Sequence, residues 1–412
     1  MERFLQMKVT QTLGAALLVA LLITPALTAA QDDATSLPVP KLPTANPLPN
    51  VTPSPPSVQG VAWILIDDAT GQVLAQHNAE ERVEPASITK IMTSYVVSAE
   101  IAAGKISPDD DVPISENAWR GGGGGTDGST SFLPVNSKVK LDDLLRGMII
   151  QSGNDASIAL AEYVAGSESS FADLMNAYAK KLGLKNTHYV NSHGLSAPDH
   201  YSTAHDIARL SQALIHDFPD DYADYKVKEF TFNGIRQYNR NSLLWKDEAV
   251  DGIKTGHHSG AGYCLAASAK RGDQRLISVV MGSNSEKQRA EDTYALLNWG
   301  FRFFETHKLY DAGQVVTEPK LWKGEAATLT LGLEQPLLLT VPRGRYDDVK
   351  AEMDLPRQLV APYAQAQQVG TLRILLDGEA LAERPLVALA NAPEAGFFKR
   401  ISDGFWLWWE SD

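Results

Sequence analysis

Val61-Ala62-Trp63-Ile64-Leu65-Ile66, then Asp67-Asp68-Ala69-Thr70-Gly71, then Gln72-Val73-Leu74-Ala75 reads as two β-strands joined by a tight turn. Apolar, β-branched and aromatic residues favour strand, and the Asp/Thr/Gly cluster between them is turn chemistry. Pro85 and Ser87 then open a helix, Ile88–Ala103, which Gly104 closes in the C′ position. Helical patterns follow at Leu141–Ile150, Asp155–Val164, Ser170–Leu182 and Thr203–Ile215. After Asp251 the pattern returns to strand. Gly262–Lys270 and Arg275–Gly282 flank Arg271-Gly272-Asp273, a second hairpin signal, and Lys287–Thr306 is helical again. Strands towards both ends with helices between them predict an α+β fold around one mostly antiparallel sheet. From about Val315 the texture changes. Ala327–Leu331, Pro336–Val341 and Thr371–Leu376 are short strand patterns with little helix, which predicts a small all-β domain over residues 310–395 behind a first domain of residues 58–309.

The chain has 412 residues, 44% of them hydrophobic, enough for two or three domains with real cores. Its net charge of −13 excludes a nucleic-acid binder, which needs a basic face for phosphates. A single cysteine, Cys264, excludes an internal disulfide and any multi-cysteine metal site. Arg3 and Lys8, the apolar stretch Leu13–Leu22, Pro25 and the small residues Ala26-Leu27-Thr28-Ala29-Ala30 form the pattern of a secretory signal over residues 1–30, cleaved near Ala30. A retained anchor is the alternative, and the stretch is short for a membrane span. Residues 31–57 carry eight prolines and predict an extended spacer.

Three short strings carry chemistry: Ser87-Ile88-Thr89-Lys90, Ser152-Gly153-Asn154 and Lys254-Thr255-Gly256. The first places a serine and a lysine at i and i+3, neighbours on one helix face. A serine hydroxyl is a poor nucleophile until a base takes its proton, and a lysine can be that base if burial or a second cation lowers its pKa. Lys254 is a candidate for the second cation. Singly the strings are weak: Ser137-Lys138-Val139-Lys140 also fits the first, Ser115-Glu116-Asn117 fits the second, and both read as solvated surface segments. The order, the wide spacing and the helix, loop and strand contexts carry the weight.

With these motifs the chain resembles the low-molecular-mass penicillin-binding proteins, serine-type D-alanyl-D-alanine carboxypeptidases. The resemblance rests on Glu84-Pro85-Ala86-Ser87-Ile88-Thr89-Lys90-Ile91-Met92-Thr93, Gln151-Ser152-Gly153-Asn154-Asp155-Ala156 and Asp251-Gly252-Ile253-Lys254-Thr255-Gly256-His257. It covers about residues 57–309 and extends more loosely to the β-rich region and the C-terminus. It implies a catalytic domain like that of serine β-lactamases and penicillin-binding proteins. Ser87 then resembles the nucleophile that attacks the carbonyl between two terminal D-alanines, and Lys90 the base. Ser152, with Asn154 beside it, resembles the relay returning a proton to the leaving D-alanine. Lys254 and Thr255 resemble the grip on the terminal carboxylate, and the backbone amides of Ser87 and of His257, after Gly256, the oxyanion hole. Arg289 is a further carboxylate contact or a helix-surface arginine. The implied partners are peptidoglycan stem peptides ending in D-Ala-D-Ala, and β-lactams that acylate Ser87. No cofactor or metal is implied.

Other features are weighed beside this reading. Gly121–Gly125 with Thr126-Asp127-Gly128 lacks the lysine of a phosphate-binding loop and reads as a loop near the cleft. His188, His193, His200 and His205 invite a zinc reading, but no His-Glu-x-x-His pair exists, and packing or surface histidines are expected. Cys264 lies in an apolar strand as a buried thiol. Residues 396–412 predict an amphipathic helix with Phe397, Phe398, Ile401, Phe405, Trp408 and Trp409 on one face and Lys399, Asp403 and Glu410 on the other. It is too short and charged to span a bilayer and suits the membrane interface, or else packs on the core. The expected location is the periplasmic face of the bacterial inner membrane. A D,D-endopeptidase or a β-lactamase on the same fold, and a non-catalytic wall-binding scaffold, remain as alternatives. The sequence has no Glu-x-x-Leu-Asn string of the kind a deacylating β-lactamase uses.

Overall fold

The computed structural model describes residues 52–121 and 128–410; the expected signal segment, most of the proline-rich spacer and residues 122–127 of the glycine run lie outside the described residues. Five strands form the first sheet: β1 (Ala62–Asp67), β2 (Val73–His77), β3 (Val250–His258), β4 (Gly262–Arg271) and β5 (Gln274–Ser283), in the order β2-β1-β5-β4-β3. Every neighbouring pair is antiparallel, with Ile64 opposite Val279, Ala267 opposite Ser278 and Lys254 opposite Ala266. The helices are α1 (Lys90–Ala102), α2 (Asn154–Ala165), α3 (Glu168–Leu182), α4 (Ala204–Asp217) and α5 (Glu286–Phe303).

The period-2 geometry of a strand explains the unbroken apolar runs. Ala62, Ile64 and Ile66 of β1, with Ile277, Val279 and Met281 of β5, pack into one core with the side chains of α1 to α4. Trp63 and Leu65 join Leu276, Val280 and the α5 residues Leu296, Leu297 and Trp299 in a second core on the opposite face. A sheet covered on both faces has no polar side, so its strands lack alternation. Residues Lys90 to Ser98 of α1 are all buried, as befits a helix inside the helical layer.

Three expected elements are corrected. The helix expected over Ile88–Ala103 begins as a 3₁₀ turn, Ala86–Thr89, and becomes α-helical at Lys90. The helix expected over Leu141–Ile150 stops at Arg146 and widens into a π turn, Gly147–Gln151, that leaves Ser152 left-handed at φ +69°. The helix expected to run to Thr306 ends at Phe303. Arg343 donates to the carbonyls of Phe301, Arg302 and Phe304 at 3.0, 3.2 and 3.0 Å, taking acceptors that another helical turn would use. Phe304–Tyr310 is a strand paired with Leu337–Pro342, so the β-rich part begins at Phe304. It continues as a five-stranded sheet in the order Val315–Thr317, Leu331–Gly332, Glu379–Ala388, Gln368–Leu376, Lys350–Asp354.

The two parts meet at hydroxyls around a buried carboxylate: Thr306 Oγ1 donates to Asp67 Oδ2 at 2.6 Å, and Thr70 and Thr340 hydroxyls lie 2.9 Å apart. A last helix, α6 (Phe397–Glu410), docks by its polar side. Lys399 Nζ donates to the carbonyls of Gly324 and Ala326, and Asp403 accepts the Lys323 amide at 2.7 Å. Its aromatic face is exposed, Phe398 at 86% and Trp409 at 66%.

Candidate active site

The turn that carries Ser87 is held tightly. Ala86, just before it, has φ +48°, a strained conformation for a residue with a Cβ. Two glycines admit other backbone against this turn. A Cβ on Gly194 (φ +87°) would fall 1.8 Å from the Ala86 carbonyl oxygen, and one on Gly256 3.0 Å from the Pro85 oxygen. Lys90, one turn on, is buried, and its Nζ donates to Ser87 Oγ at 3.0 Å, Asn154 Oδ1 at 2.7 Å and the His193 carbonyl at 2.9 Å. Burial, reinforced by the Arg240 guanidinium, pulls its pKa down to about 7. A lysine that releases its proton near neutrality, 3.0 Å from a hydroxyl, can deprotonate it.

The second string sits where the π turn passes into α2. Ser152 Oγ is buried and has no hydrogen-bond partner among the described residues, so it is available to an incoming group. Asp155 anchors the neighbouring wall: its carboxylate accepts the Ser131 amide at 2.8 Å, the Leu133 amide at 3.2 Å and the Thr130 hydroxyl at 2.8 Å. The Asn154 amide donates to the Ser129 carbonyl at 2.7 Å.

The third string lies on β3, an edge strand of the sheet. Lys254 Nζ is buried and donates to the Thr255 carbonyl at 3.3 Å. Burial first, then Lys90, Arg240 and Arg289, hold its pKa well below the usual lysine value. Arg289 is 5% exposed and so is no helix-surface arginine; Nη1 donates to the Gly256 carbonyl at 3.3 Å and Nη2 to Glu286 Oε1 at 2.9 Å. His257 is exposed and stacks on Tyr263 with ring centroids 4.0 Å apart.

A cleft of about 290 Å³ unites these parts, and Ser87, Ser152, Thr255, Gly256, His257 and Arg289 line it. Lys90, Asn154 and Lys254 lie behind that lining, joined to it by the contacts above. Sequence reasoning missed Ser129, Arg240, Tyr263 and Glu286, which also line it. No motif marks them. Arg240 reaches the cleft because Asn239 donates to the Val227 carbonyl at 3.0 Å and Asn241 to the Gly252 carbonyl at 2.8 Å, pinning its loop beside β3.

The distractors are occupied elsewhere. Lys140 pairs with Asp111 at 2.8 Å, and Ser115 Oγ donates to Glu162 at 2.7 Å. His200 bonds Thr89 through Nε2 at 2.8 Å, His188 Nδ1 lies 2.7 Å from the Asp199 carbonyl, and His205 lies 3.1 Å from Glu80. Cys264 is buried, its thiol pushed up to about 11 by desolvation.

Comparison with known proteins shows the family. Residues 49–285 match the D-alanyl-D-alanine carboxypeptidase family, and residues 304–394 match the C-terminal domain of penicillin-binding protein 5. The chain is 50% identical over 351 residues to D-alanyl-D-alanine carboxypeptidase DacC of Escherichia coli (strain K12), covering 84% of this chain and 88% of that protein. It is 48% identical over 354 residues to DacA of the same strain, covering 85% and 88%. Penicillin binding protein 5 from Haemophilus influenzae superposes with a TM-score of 0.80 at 42% identity, covering 83% of this chain and all of that one.

Proposed function

Because this chain belongs to the D-alanyl-D-alanine carboxypeptidase family and is a serine-type hydrolase, we propose that Ser87 carries its acyl-enzyme chemistry with Lys90 as base. The observation that carries the assignment is the 3.0 Å contact between Lys90 Nζ and Ser87 Oγ in a buried site. Neutral Lys90 takes the hydroxyl proton as Oγ bonds to the carbonyl carbon between the two terminal D-alanines. The negative charge on the former carbonyl oxygen is met by the Ser87 and His257 amides. As the C–N bond breaks, the proton passes from Lys90 through Ser152 to the leaving amine, and free D-alanine departs. Asn154 holds Lys90 in line. Water, its proton taken by Lys90, then attacks the ester and frees Ser87 and the shortened stem.

Substrate selection follows from charge. Lys254, Thr255 and Arg289 grip the terminal carboxylate, and the edge of β3 offers backbone groups to an extended stem peptide. The cyclic amide of a β-lactam presents the same carbonyl to Ser87, but its leaving group stays tethered, so the adduct persists. Glu286, the carboxylate in the cleft lining, is engaged by Arg289, which disfavours a β-lactamase-type deacylating role for it.

We assign residues 1–30 to a signal for export, 31–57 to a spacer and 396–412 to attachment on the periplasmic face of the inner membrane. The outward aromatic face of α6 supports that attachment. The β-rich part stands between this helix and the catalytic unit.

The test measures D-alanine released from diacetyl-Lys-D-Ala-D-Ala by the wild type and Ser87→Ala, with intact-mass and peptide mapping after penicillin. Release by the wild type alone, with one adduct on Ser87, is expected. An adduct on another residue, or release by Ser87→Ala, overturns the assignment.

A further inference from the structure

The segment Asn191-Ser192-His193-Gly194-Leu195 is clamped far more firmly than a surface loop requires. Thr93 Oγ1 and Ser157 Oγ both donate to the Ser192 carbonyl, at 2.6 and 3.1 Å. Asn191 Oδ1 accepts the amides of His193 and Gly194 at 3.3 and 2.6 Å. Gly194 lies against the Ala86 carbonyl beside the nucleophile, and the His193 carbonyl accepts from Lys90. A further hold comes from one carboxylate oxygen. Glu168 Oε1 accepts the Ser192 amide at 3.0 Å and the Ser192 hydroxyl at 2.6 Å, and lies 3.4 Å from His193 Nε2. His193 Nδ1 accepts the Leu195 amide at 3.1 Å, so the ring proton sits on Nε2 and faces Glu168.

Glu168 is the first residue of α3, where free backbone amides favour negative charge. The imidazole beside it does not cancel that charge: burial and Lys90 hold His193 down to about 3, so it is neutral. Around Lys90, Asp155 from α2 and Glu168 from α3 favour its ammonium form and Arg240 opposes it, while the Lys254 amine is itself held well below the usual lysine value.

We propose that Glu168 is a positioning residue for Lys90: its carboxylate holds the Ser192–His193 backbone against the lysine and supplies a half-buried negative charge behind it. This rests on the reading of Lys90 as the base. The two contributions separate by substitution. Glu168→Gln keeps an acceptor oxygen of nearly the same shape for Ser192 and removes the charge. Glu168→Ala removes both. Without the charge, the ammonium form of Lys90 is less favoured and the base is neutral at lower pH.

The experiment is the pH profile of kcat/KM on diacetyl-Lys-D-Ala-D-Ala for wild type, Glu168→Gln and Glu168→Ala, each normalised to sites titrated with labelled penicillin. The acid limb of Glu168→Gln is expected to move to lower pH by roughly half a unit or more, with a plateau within about twofold of wild type. Glu168→Ala is expected to lose about tenfold in kcat with KM within about twofold, because the His193 carbonyl no longer holds Lys90 in line. A Gln profile that superimposes on wild type, or a limb moved to higher pH, overturns the proposal while leaving the function standing. A wild type that labels on Ser87 but has no acid limb refutes Lys90 as base, and the proposal with it. Should Glu168→Ala not fold, the Gln profile decides alone.

Discussion

In the proposed mechanism Lys90 must be uncharged to take the Ser87 proton, and the lowering of its pKa to about 7 by burial sets where that happens. The sign follows directly: below about pH 7 the lysine is protonated and inactive, so kcat/KM falls about tenfold per unit, and above it the rate flattens. A pH profile that stays level from 5 to 8 contradicts this. Lys90→Arg keeps a permanent charge and is expected to lose about 10²–10⁴-fold in acylation by penicillin, measured by stopped-flow labelling. Arg289 is the residue we propose for the other end of the substrate. Arg289→Ala removes the cation proposed to meet the terminal carboxylate and is expected to lower kcat/KM by roughly 10- to 100-fold. A substrate amidated at its C-terminus is expected to be indifferent to the change; equal losses on both substrates would exclude the carboxylate role. The Ser87–Lys90 contact was legible in the sequence because i,i+3 spacing alone brings the two side chains together. Arg240, Glu168 and Glu286 were not, since each reaches the site on an element whose position is set by packing over long sequence separations.

At the scale of elements, the site is a meeting of four short backbone segments, and glycine governs two of the contacts. Gly194→Ala places a methyl 1.8 Å from the Ala86 carbonyl oxygen at a φ of +87° that alanine disfavours, so the loop must move off the nucleophile turn. The expected cost is about 3 kcal/mol or more, read as a Tm lower by roughly 10 °C and a fall in penicillin labelling. Gly166→Ala is the control: it shares the positive φ, but nothing lies within 4 Å of its added Cβ, so labelling is expected to survive. Equal loss of labelling in both would assign the effect to backbone strain in general. The long apolar helices and both expected hairpins were readable from periodicity and turn residues. The π turn at Gly147–Gln151 was not, because its apolar residues Met148, Ile149 and Ile150 continue the helical pattern through the widening. The hairpin of Glu229–Phe232 and Ile235–Tyr238 carries an Asn233-Gly234 turn signal, with both residues at positive φ, but its strands are short, partly polar and largely exposed.

On the scale of the whole molecule, what matters is which side of α6 meets the protein. A helix that packs to complete a core buries its aromatic face. Here Lys399 and Asp403 bind backbone groups of residues 323–326, while Phe397, Phe398, Ile401, Phe405, Trp408 and Trp409 point outward. An exposed row of aromatics is costly in water and stable at a lipid interface, where tryptophan is favoured. The net charge of −13 opposes attraction to anionic headgroups, so the proposed attachment rests on apolar insertion and is expected to depend little on salt. The sequence displayed this face through its helical spacing but not the polar docking that fixes which way it points. Truncation of residues 396–412 is expected to abolish sedimentation with phospholipid vesicles while kcat/KM on a soluble peptide stays within about twofold, because Ser87 and its partners lie in the other part of the chain. Phe398→Glu combined with Trp408→Glu keeps the docking contacts and is expected to release the protein equally. Vesicle binding by the truncated chain as strong as that of the full chain would place the membrane contact elsewhere. Loss of peptide activity on truncation would mean instead that the helix supports the catalytic fold across the Asp67–Thr306 junction.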